Sequence, residues 1–350
     1  MTTTSREVRL ARVPGLKLSP DDFRIDTVEL GDVGEGQVRV RNLYMSIDPY
    51  MRLGLAPQGG VVAAKKPGDG FDGAALGIVE ESRADALPVG TLVLSQYGWR
   101  EQFLASAGEL QAVPPSPVPH SWLLGVLGLT GLTAYAGIER AIQPTAGETI
   151  FISGAAGAVG SIACQLAILR GARVLGSAGS ADKMRWLKDD LGVAAVTNYK
   201  TDDLAAFLAA EAPDGLDCYF DNVGGAILDT TLLAMKDQGR VGLCGAISQY
   251  ETENYRSGPS QFFTIIERNL TMKGFNVNSV IADAHHIIGW LGALAAEGKL
   301  EIREIIVEGL EAAPEAFVSL FHGGVNGKLI VRLAPGAVPD QPPMVRSDGQ

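Results

Sequence analysis

At 350 residues, with 46% hydrophobic content and 43 glycines, the chain is long enough for two domains with large cores and has the composition of an α/β protein. Its formal net charge of −11 argues against nucleic acid or an anionic membrane as a partner. The start, MTTTSREVRLA, is too polar for a signal peptide, and no apolar run is expected to reach the roughly 20 residues of a membrane helix.

Three cysteines, Cys164, Cys218 and Cys244, lie far apart in apolar contexts, which reads as buried thiols in a cytoplasmic protein without disulfides. The four histidines, His120, His285, His286 and His322, have no metal-ligand spacing to a cysteine or to each other, so no metal is expected.

Residues 1 to about 125 read as mostly β. Short alternating runs, Phe23 to Leu30, Gln37 to Tyr44, Ala74 to Glu80, Thr91 to Tyr97 and Phe103 to Ala105, are separated by Gly, Pro and Asp. That rhythm suggests an antiparallel barrel or a partly closed sheet. Within it lies LYMSIDPYMRLG, Leu43 to Gly54, where Asp48-Pro49 should start a turn that projects Tyr50, Met51 and Arg52. Tyr50 suits a core position and a site equally well. Residues 67 to 79 are glycine-rich and offer no histidine to a catalytic metal. The connector VPPSPVP, 113 to 119, precedes a domain boundary near Leu127. From His120 to Glu139 a helix is expected in two pieces around Gly128 and Gly131, with GLTAYAGIER near a cofactor.

The centre of the chain is Thr149 to Ser177: a strand over Thr149 to Ile152, a turn with Gly154, Gly157 and Gly160, a helix over Ala158 to Leu169 and a second strand. This is the βαβ unit that binds a mononucleotide, with helix N–H groups facing phosphate. The glycine pattern is GxxGxxG, which also serves plain helix packing. An NAD site wants an acid at the end of the second strand. Here Ser177-Ala178-Gly179-Ser180 leads to Lys183, which suits a 2′-phosphate and predicts NADP(H). Lys183 also reads as an ordinary helix lysine, with Asp182 beside it.

Alternation then continues. Helices are expected at Lys183 to Asp190, Asp203 to Ala210 and Ala226 to Met235. Strands are expected at Ala195 to Tyr199, Leu216 to Phe220, Arg240 to Ala246 and Leu270 to Val277. Repeated pairs of this length specify a doubly wound parallel sheet with ligands at the carboxyl ends of its strands. That rule selects Tyr199, Asn222, Val223, Ser248, Gln249, Tyr250, Phe275, Asn276 and Val277. An amphipathic helix, Asp283 to Gly298, follows. A strand, a helix (Pro314 to Leu320) and a last strand (Lys328 to Leu333) come next, and the Pro/Gly-rich tail from Ala334 is expected to be poorly ordered.

Six motifs carry a family resemblance: YMSIDPYMR (Tyr44 to Arg52), GLTAYAG (Gly131 to Gly137), SGAAGAVGS (Ser153 to Ser161), FDNVGG (Phe220 to Gly225), CGAISQY (Cys244 to Tyr250) and GGVNGKLIV (Gly323 to Val331). From about Val8 to Leu333 the chain resembles the zinc-free medium-chain dehydrogenase/reductases of the prostaglandin reductase and alkenal double-bond reductase branch. The resemblance implies a GroES-like barrel, residues 1–127 and 305–350, beside a Rossmann domain, 128–304.

It also implies NADP contacts at Gly157, Ala158, Val159 and Gly160, at Lys183 and Tyr199, and at Asn222. Further contacts fall on Cys244, Gly245, Ala246, Ile247, Ser248, Gln249 and Tyr250, on Phe275, Asn276 and Val277, and on Asn326. The active-site tyrosines correspond to Tyr50 and Tyr250. The implied reaction is metal-free, NADPH-dependent reduction of the C=C bond of an α,β-unsaturated ketone or aldehyde, in a homodimer. A quinone reductase and a non-catalytic NADPH-binding protein are the competing readings. Two departures bear on substrate choice. Ile265-Ile266-Glu267-Arg268 lacks a tyrosine found in several members, and YETENYRSGPSQF replaces a polyproline segment.

Overall fold

A computed structural model describes residues 3–55, 63–114, 118–253 and 257–334. Tyr255, residues 115–117 of the proline-rich connector and the tail from 335 onward lie outside the described residues. The chain divides into two compact units. One comprises Met1–Leu124, Glu304–Val325 and Leu329–Gln350, the other Gly125–Arg303 and Asn326–Lys328.

The first unit is mostly β. Strand β1 (Thr3–Leu10) pairs along its whole length with β2 (Phe23–Leu30), antiparallel. The sequence hides β1 because its inward positions include polar residues. Ser5 is buried, and its hydroxyl donates to the Gln102 carbonyl at 2.8 Å. Next come β3 (Gln37–Ser46), β4 (Ala75–Ser82), β5 (Leu92–Ser95), β6 (Gln102–Ser106) and the short β7 (Gln111–Ala112). Strand β3 alternates at first, burying Val38 and Val40, and is buried throughout from Asn42. It pairs with β4 on one side, through two register shifts, and its first half pairs with β6 on the other. After β3 a 3₁₀ turn, Pro49–Leu55, opens with proline and carries Tyr50.

The second unit is built on a six-stranded parallel sheet. It begins with α1 (Leu129–Tyr135), which runs on as a π-helical segment, Ala136–Ile142. Gly131 lies inside α1 and does not break it; the position needs glycine, because an added Cβ would stand 1.7 Å from the Val126 carbonyl oxygen. There follow β8 (Thr149–Ile152), α2 (Ala158–Leu169), β9 (Arg173–Ala178), α3 (Ala181–Arg185), β10 (Ala195–Asn198) and α4 (Leu204–Glu211). Then come β11 (Leu216–Asp221), α5 (Gly225–Leu233), β12 (Met235–Leu243), α6 (Phe262–Glu267), β13 (Thr271–Gly274) and α7 (Ala284–Ala296).

The strand order β10-β9-β8-β11-β12-β13 reverses direction between β8 and β11, so the ligand crevice of such a sheet opens there. Several boundaries differ from the sequence reading. Strand β12 starts at Met235, five residues early, through a bulge whose polar Lys236-Asp237-Gln238 masks it, with Gln238 at φ 62°. Strand β13 stops at Gly274, which leaves Phe275 and Asn276 as rim loop and Val277 as the first residue of a 3₁₀ turn. Helix α6 is missing from the sequence reading because Phe262, Phe263 and Ile266 are exposed and give no buried stripe.

The helical run Val277–Ala296 is 20 residues long and apolar, which corrects the expectation that nothing reaches membrane-spanning length. Length and composition alone are weak grounds for a span, since core helices pass the same test. Its α7 part buries Ile287, Leu291, Leu294 and Ala295, a single stripe at helical spacing.

The chain then returns to the first unit. Strand β14 (Glu304–Glu308), α8 (Ala313–Ser319) and β15 (Lys328–Arg332) complete it. Strand β15 pairs antiparallel with the second half of β3, Ile330 opposite Ser46 and Arg332 opposite Tyr44. Helix α8 contributes Phe317, fully buried, with its ring centroid 5.7 Å from that of Trp99 and 6.0 Å from that of Phe23. The core of this unit therefore joins residues about 300 positions apart in the chain.

Candidate active site

The carboxyl rim of the parallel sheet gathers most of the residues singled out by sequence. Helix α2 starts at the glycine turn with Gly157 as its N-cap, so its first N–H groups have no partner within the helix. Gly160 must be glycine, since a Cβ would stand 2.3 Å from the Gly154 carbonyl oxygen. Gly157 also forms a bridge with Gly327, whose N–H donates to the Ala156 carbonyl at 2.9 Å. Asn326 is thereby set beside the glycine turn. Its side-chain Oδ1 is buried with no hydrogen-bond partner.

Asp221, 1% exposed at the end of β11, ties the neighbouring strand ends together. Its carboxylate accepts from the Tyr219 hydroxyl (2.6 Å), the Ser153 hydroxyl (2.9 Å) and the N–H groups of Val223 (2.9 Å) and Gly224 (3.0 Å). Its carbonyl accepts from the N–H groups of Cys244 (2.8 Å) and Gly245 (3.2 Å), just beyond β12. Ser153 in turn accepts from the Asn222 N–H at 2.9 Å, and the Asn222 side chain donates to the Ser153 carbonyl at 2.7 Å. Neither Asp221 nor Ser153 stood out as a site residue in the sequence, although both lie inside quoted motifs.

The loop from Cys244 to Tyr250 is fastened to the same place. The N–H groups of Ile247 and Ser248 donate to the carbonyls of Asn222 and Val223, and the Ser248 hydroxyl donates to Val223 at 2.7 Å. Gly224, at φ +69°, lets Ala246 approach, since a Cβ there would meet that side chain at 2.9 Å. Gln249 donates to the Ser257 carbonyl. The Tyr250 hydroxyl accepts from the Ala246 N–H at 3.4 Å. Burial, aided by the nearby Cys244 and Asp221, raises the Tyr250 pKa above its ordinary value against that one hydrogen bond.

Cys164 and Cys218 are buried as expected, whereas Cys244 is only partly covered because it sits at the open rim. Its sulfur is nevertheless deep enough for burial to push the thiol up to about 12. Phe275 packs edge-on against Phe220, centroids 5.4 Å apart. Gly137 of GLTAYAG makes room for both rings: a Cβ there would lie 2.3 Å from Phe220 and 2.5 Å from Phe275. Asn276 accepts from the Asn278 N–H and caps the turn that follows Phe275.

At the other end of the crevice β9 runs out through Gly179 to Ser180, whose side chain caps α3 by accepting from the Lys183 N–H. Asp182 forms an ion pair with Arg185 on the exposed side of that helix. Tyr199 follows β10. Its N–H donates to the Ala178 carbonyl, and its ring lies 2.8 Å from where a Cβ of Gly179 would stand.

Tyr50 belongs to the first unit, on the turn after β3, half-buried against the aromatic core. Burial first, and then the charges of Asp48 and Asp72, push its hydroxyl up to about 12. Among the described residues no group of three or more His, Cys, Asp and Glu side chains is arranged to hold a metal ion.

A parallel sheet with this strand order, a glycine turn at its reversal point and an acid-free second strand are the features of a dinucleotide-binding domain. Comparison with known proteins narrows the class. A family profile described as the N-terminal domain of oxidoreductase matches residues 6–113, and one described as zinc-binding dehydrogenase matches residues 158–292. Prostaglandin reductase 1 of Rattus norvegicus is 40% identical over 323 residues, 89% of this chain and 94% of that protein. A 2-alkenal reductase (NADP(+)-dependent) of Nicotiana tabacum is 39% identical, covering 86% of this chain and 88% of its own length. The structure of CurA in complex with NADPH from Vibrio vulnificus superimposes with a TM-score of 0.89 at 31% identity, over 94% of this chain and 99% of that one. The chain belongs to the medium-chain dehydrogenase/reductase family, in its prostaglandin reductase and alkenal reductase branch.

Removing the Asp221 carboxylate orphans several buried donors at once. Asp221→Ala is expected to lower stability by ~3 kcal/mol or more and to weaken NADPH binding, read from urea unfolding and cofactor titration. A loss below about 1 kcal/mol, the size of an ordinary surface change, would show that the rim holds its shape without this hub.

Proposed function

We propose that the rim of the second unit holds NADP(H), with Gly157, Ala158, Val159 and Gly160 facing the pyrophosphate and Lys183 and Tyr199 taking the 2′-phosphate. Asn222, the Cys244 to Tyr250 loop, Phe275 to Val277 and Asn326 would line the remainder. The fit rests on two observations. The first N–H groups of α2 at the glycine turn have no partner within the helix, and Asn326 presents a buried oxygen still in need of a donor.

The chain is an NADP-dependent oxidoreductase that reduces the C=C bond of α,β-unsaturated ketones and aldehydes. Bound NADPH supplies the hydride for the β-carbon. What the protein must add is a donor for the negative charge that grows on the carbonyl oxygen. Tyr250 carries this reading. Its oxygen already accepts from Ala246, which leaves its proton to point at a substrate, and its raised pKa keeps that proton in place at neutral pH. Burial pushes the Tyr50 hydroxyl up to about 12, so it too keeps its proton at neutral pH.

We also read the protein as a cytoplasmic homodimer. Its three free thiols accord with a reducing compartment. Strand β13 is a sheet edge with largely exposed residues, and Phe262 and Phe263 on the preceding helix are 62% and 74% exposed. An edge and an apolar patch of that kind call for a partner surface. Sedimentation should give twice the 36.8 kDa chain mass, and a single-chain mass would remove this reading.

Following NADPH absorbance with an enone, a quinone and a saturated aldehyde tests the chemistry. Consumption is expected with the enone and not with the saturated aldehyde; turnover of the quinone alone would replace this function with quinone reduction. Tyr250→Phe is expected to lower kcat about a hundredfold, the scale of one oxyanion-hole donor, with little change in NADPH affinity. In the parent protein kcat should not fall through ionisation of Tyr250 until pH exceeds its ordinary value of about 10, because the shift is upward. Unchanged kcat in the variant would move the donor role to Tyr50.

A further inference from the structure

The segment from Glu301 to Arg303, between α7 and β14, touches three of the elements that frame the crevice. The Glu301 N–H donates to the Gln165 side-chain oxygen at 2.6 Å, and the Gln165 side-chain N–H donates back to the Glu301 carbonyl at 3.0 Å. Gln165 is buried in α2, the helix that starts at the glycine turn. The Arg303 carbonyl accepts from the Lys328 N–H at 2.9 Å. Its oxygen lies 2.2 Å from where a Cβ of Gly327 would stand, and Gly327 has φ +95°, so only glycine fits there. Gly327 donates in turn to Ala156, the contact that seats Asn326. The Arg303 guanidinium lies over Trp186, its central carbon 4.4 Å from the ring centroid. Trp186 is buried and opens the π-helical segment Trp186–Asp190, which continues α3 without a break. Lys183 stands three positions earlier, on the same face of that helix as Trp186.

We propose that Arg303 is a positioning residue for the cofactor, a strut that fixes the helix carrying Lys183 relative to the turn carrying Asn326. The inference rests on the reading of those two places as separate parts of one NADP(H) site. Its backbone is held stiffly. The paired Gln165 bonds register Glu301 on α2, and the contact with Gly327 leaves no gap behind the Arg303 carbonyl. From that fixed base the side chain reaches across to the indole, where the ring face attracts a cation. A planar guanidinium lying on a planar ring sets a distance between the two elements that carry them. A dinucleotide engages both places at once, so its affinity depends on their separation. A ligand that engages only one of them is indifferent to it.

Calorimetric titration of the full-length protein with NADPH and with adenosine 2′-phosphate decides the matter, comparing the parent, Arg303→Ala and Lys183→Ala. Arg303 is exposed, so its truncation leaves the core in place. Arg303→Ala is expected to weaken NADPH about fivefold, the scale of one exposed cation–π contact, and to leave adenosine 2′-phosphate unchanged. An unchanged NADPH affinity, or an equal loss for both ligands, would make Arg303 a local surface contact, and the inference fails alone. If Lys183→Ala weakens neither ligand, α3 is not the phosphate end and the reading beneath the inference fails with it.

Discussion

The buried carboxylate of Asp221 is the constraint on which the crevice depends. Backbone N–H groups at the ends of parallel strands have no ladder partner left, and where they are buried they need an acceptor within the protein. One acceptor with several lone pairs satisfies Val223, Gly224, Ser153 and Tyr219 together, while the carbonyl of the same residue takes Cys244 and Gly245. Three strand ends are thereby fixed relative to each other. The loop that carries Tyr250 inherits its position from Asn222 and Val223, and these from Asp221. A crevice held by hydrogen bonds of known direction presents its groups at little further cost in ordering when a ligand arrives.

Much of this was legible in the residues. The βαβ unit announced itself because a central parallel strand is apolar on both faces and a glycine turn must follow it, as Thr149 to Gly160 shows. The rim residues followed from the strand-end rule once the alternation was seen. What escaped was of another kind. Strand β1 keeps a buried serine in its pattern, so its period is blurred. Strand β12 enters through a polar bulge. Helix α6 turns phenylalanines outward. In each case a tertiary hydrogen bond, a register shift or an exposed apolar face overrides the local signal, and none of these is written in a single window of sequence.

The electrostatics of the molecule carry a similar lesson. A chain of net charge −11 has no general attraction for anions, so any anion it binds must be caught locally. The proposed phosphate site at the exit of β9 would do so by omission as much as by addition: the strand ends in small residues with no acid, and the acids nearby are tied up in their own contacts. Asp182, which in the sequence seemed to offset Lys183, pairs outward with Arg185, a direction that adjacency in the chain does not reveal.

The return of β14, α8 and β15 to the first unit has a consequence for biosynthesis. The second unit is almost one uninterrupted stretch, Gly125–Arg303, and its sheet has all its strands once that stretch has left the ribosome. The first unit cannot finish then, although its strands emerge earlier, because Phe317 still has to reach Trp99 and β15 still has to meet β3. The segment made first is therefore the last to mature, and its half-built apolar surface is what a chaperone would meet on the nascent chain.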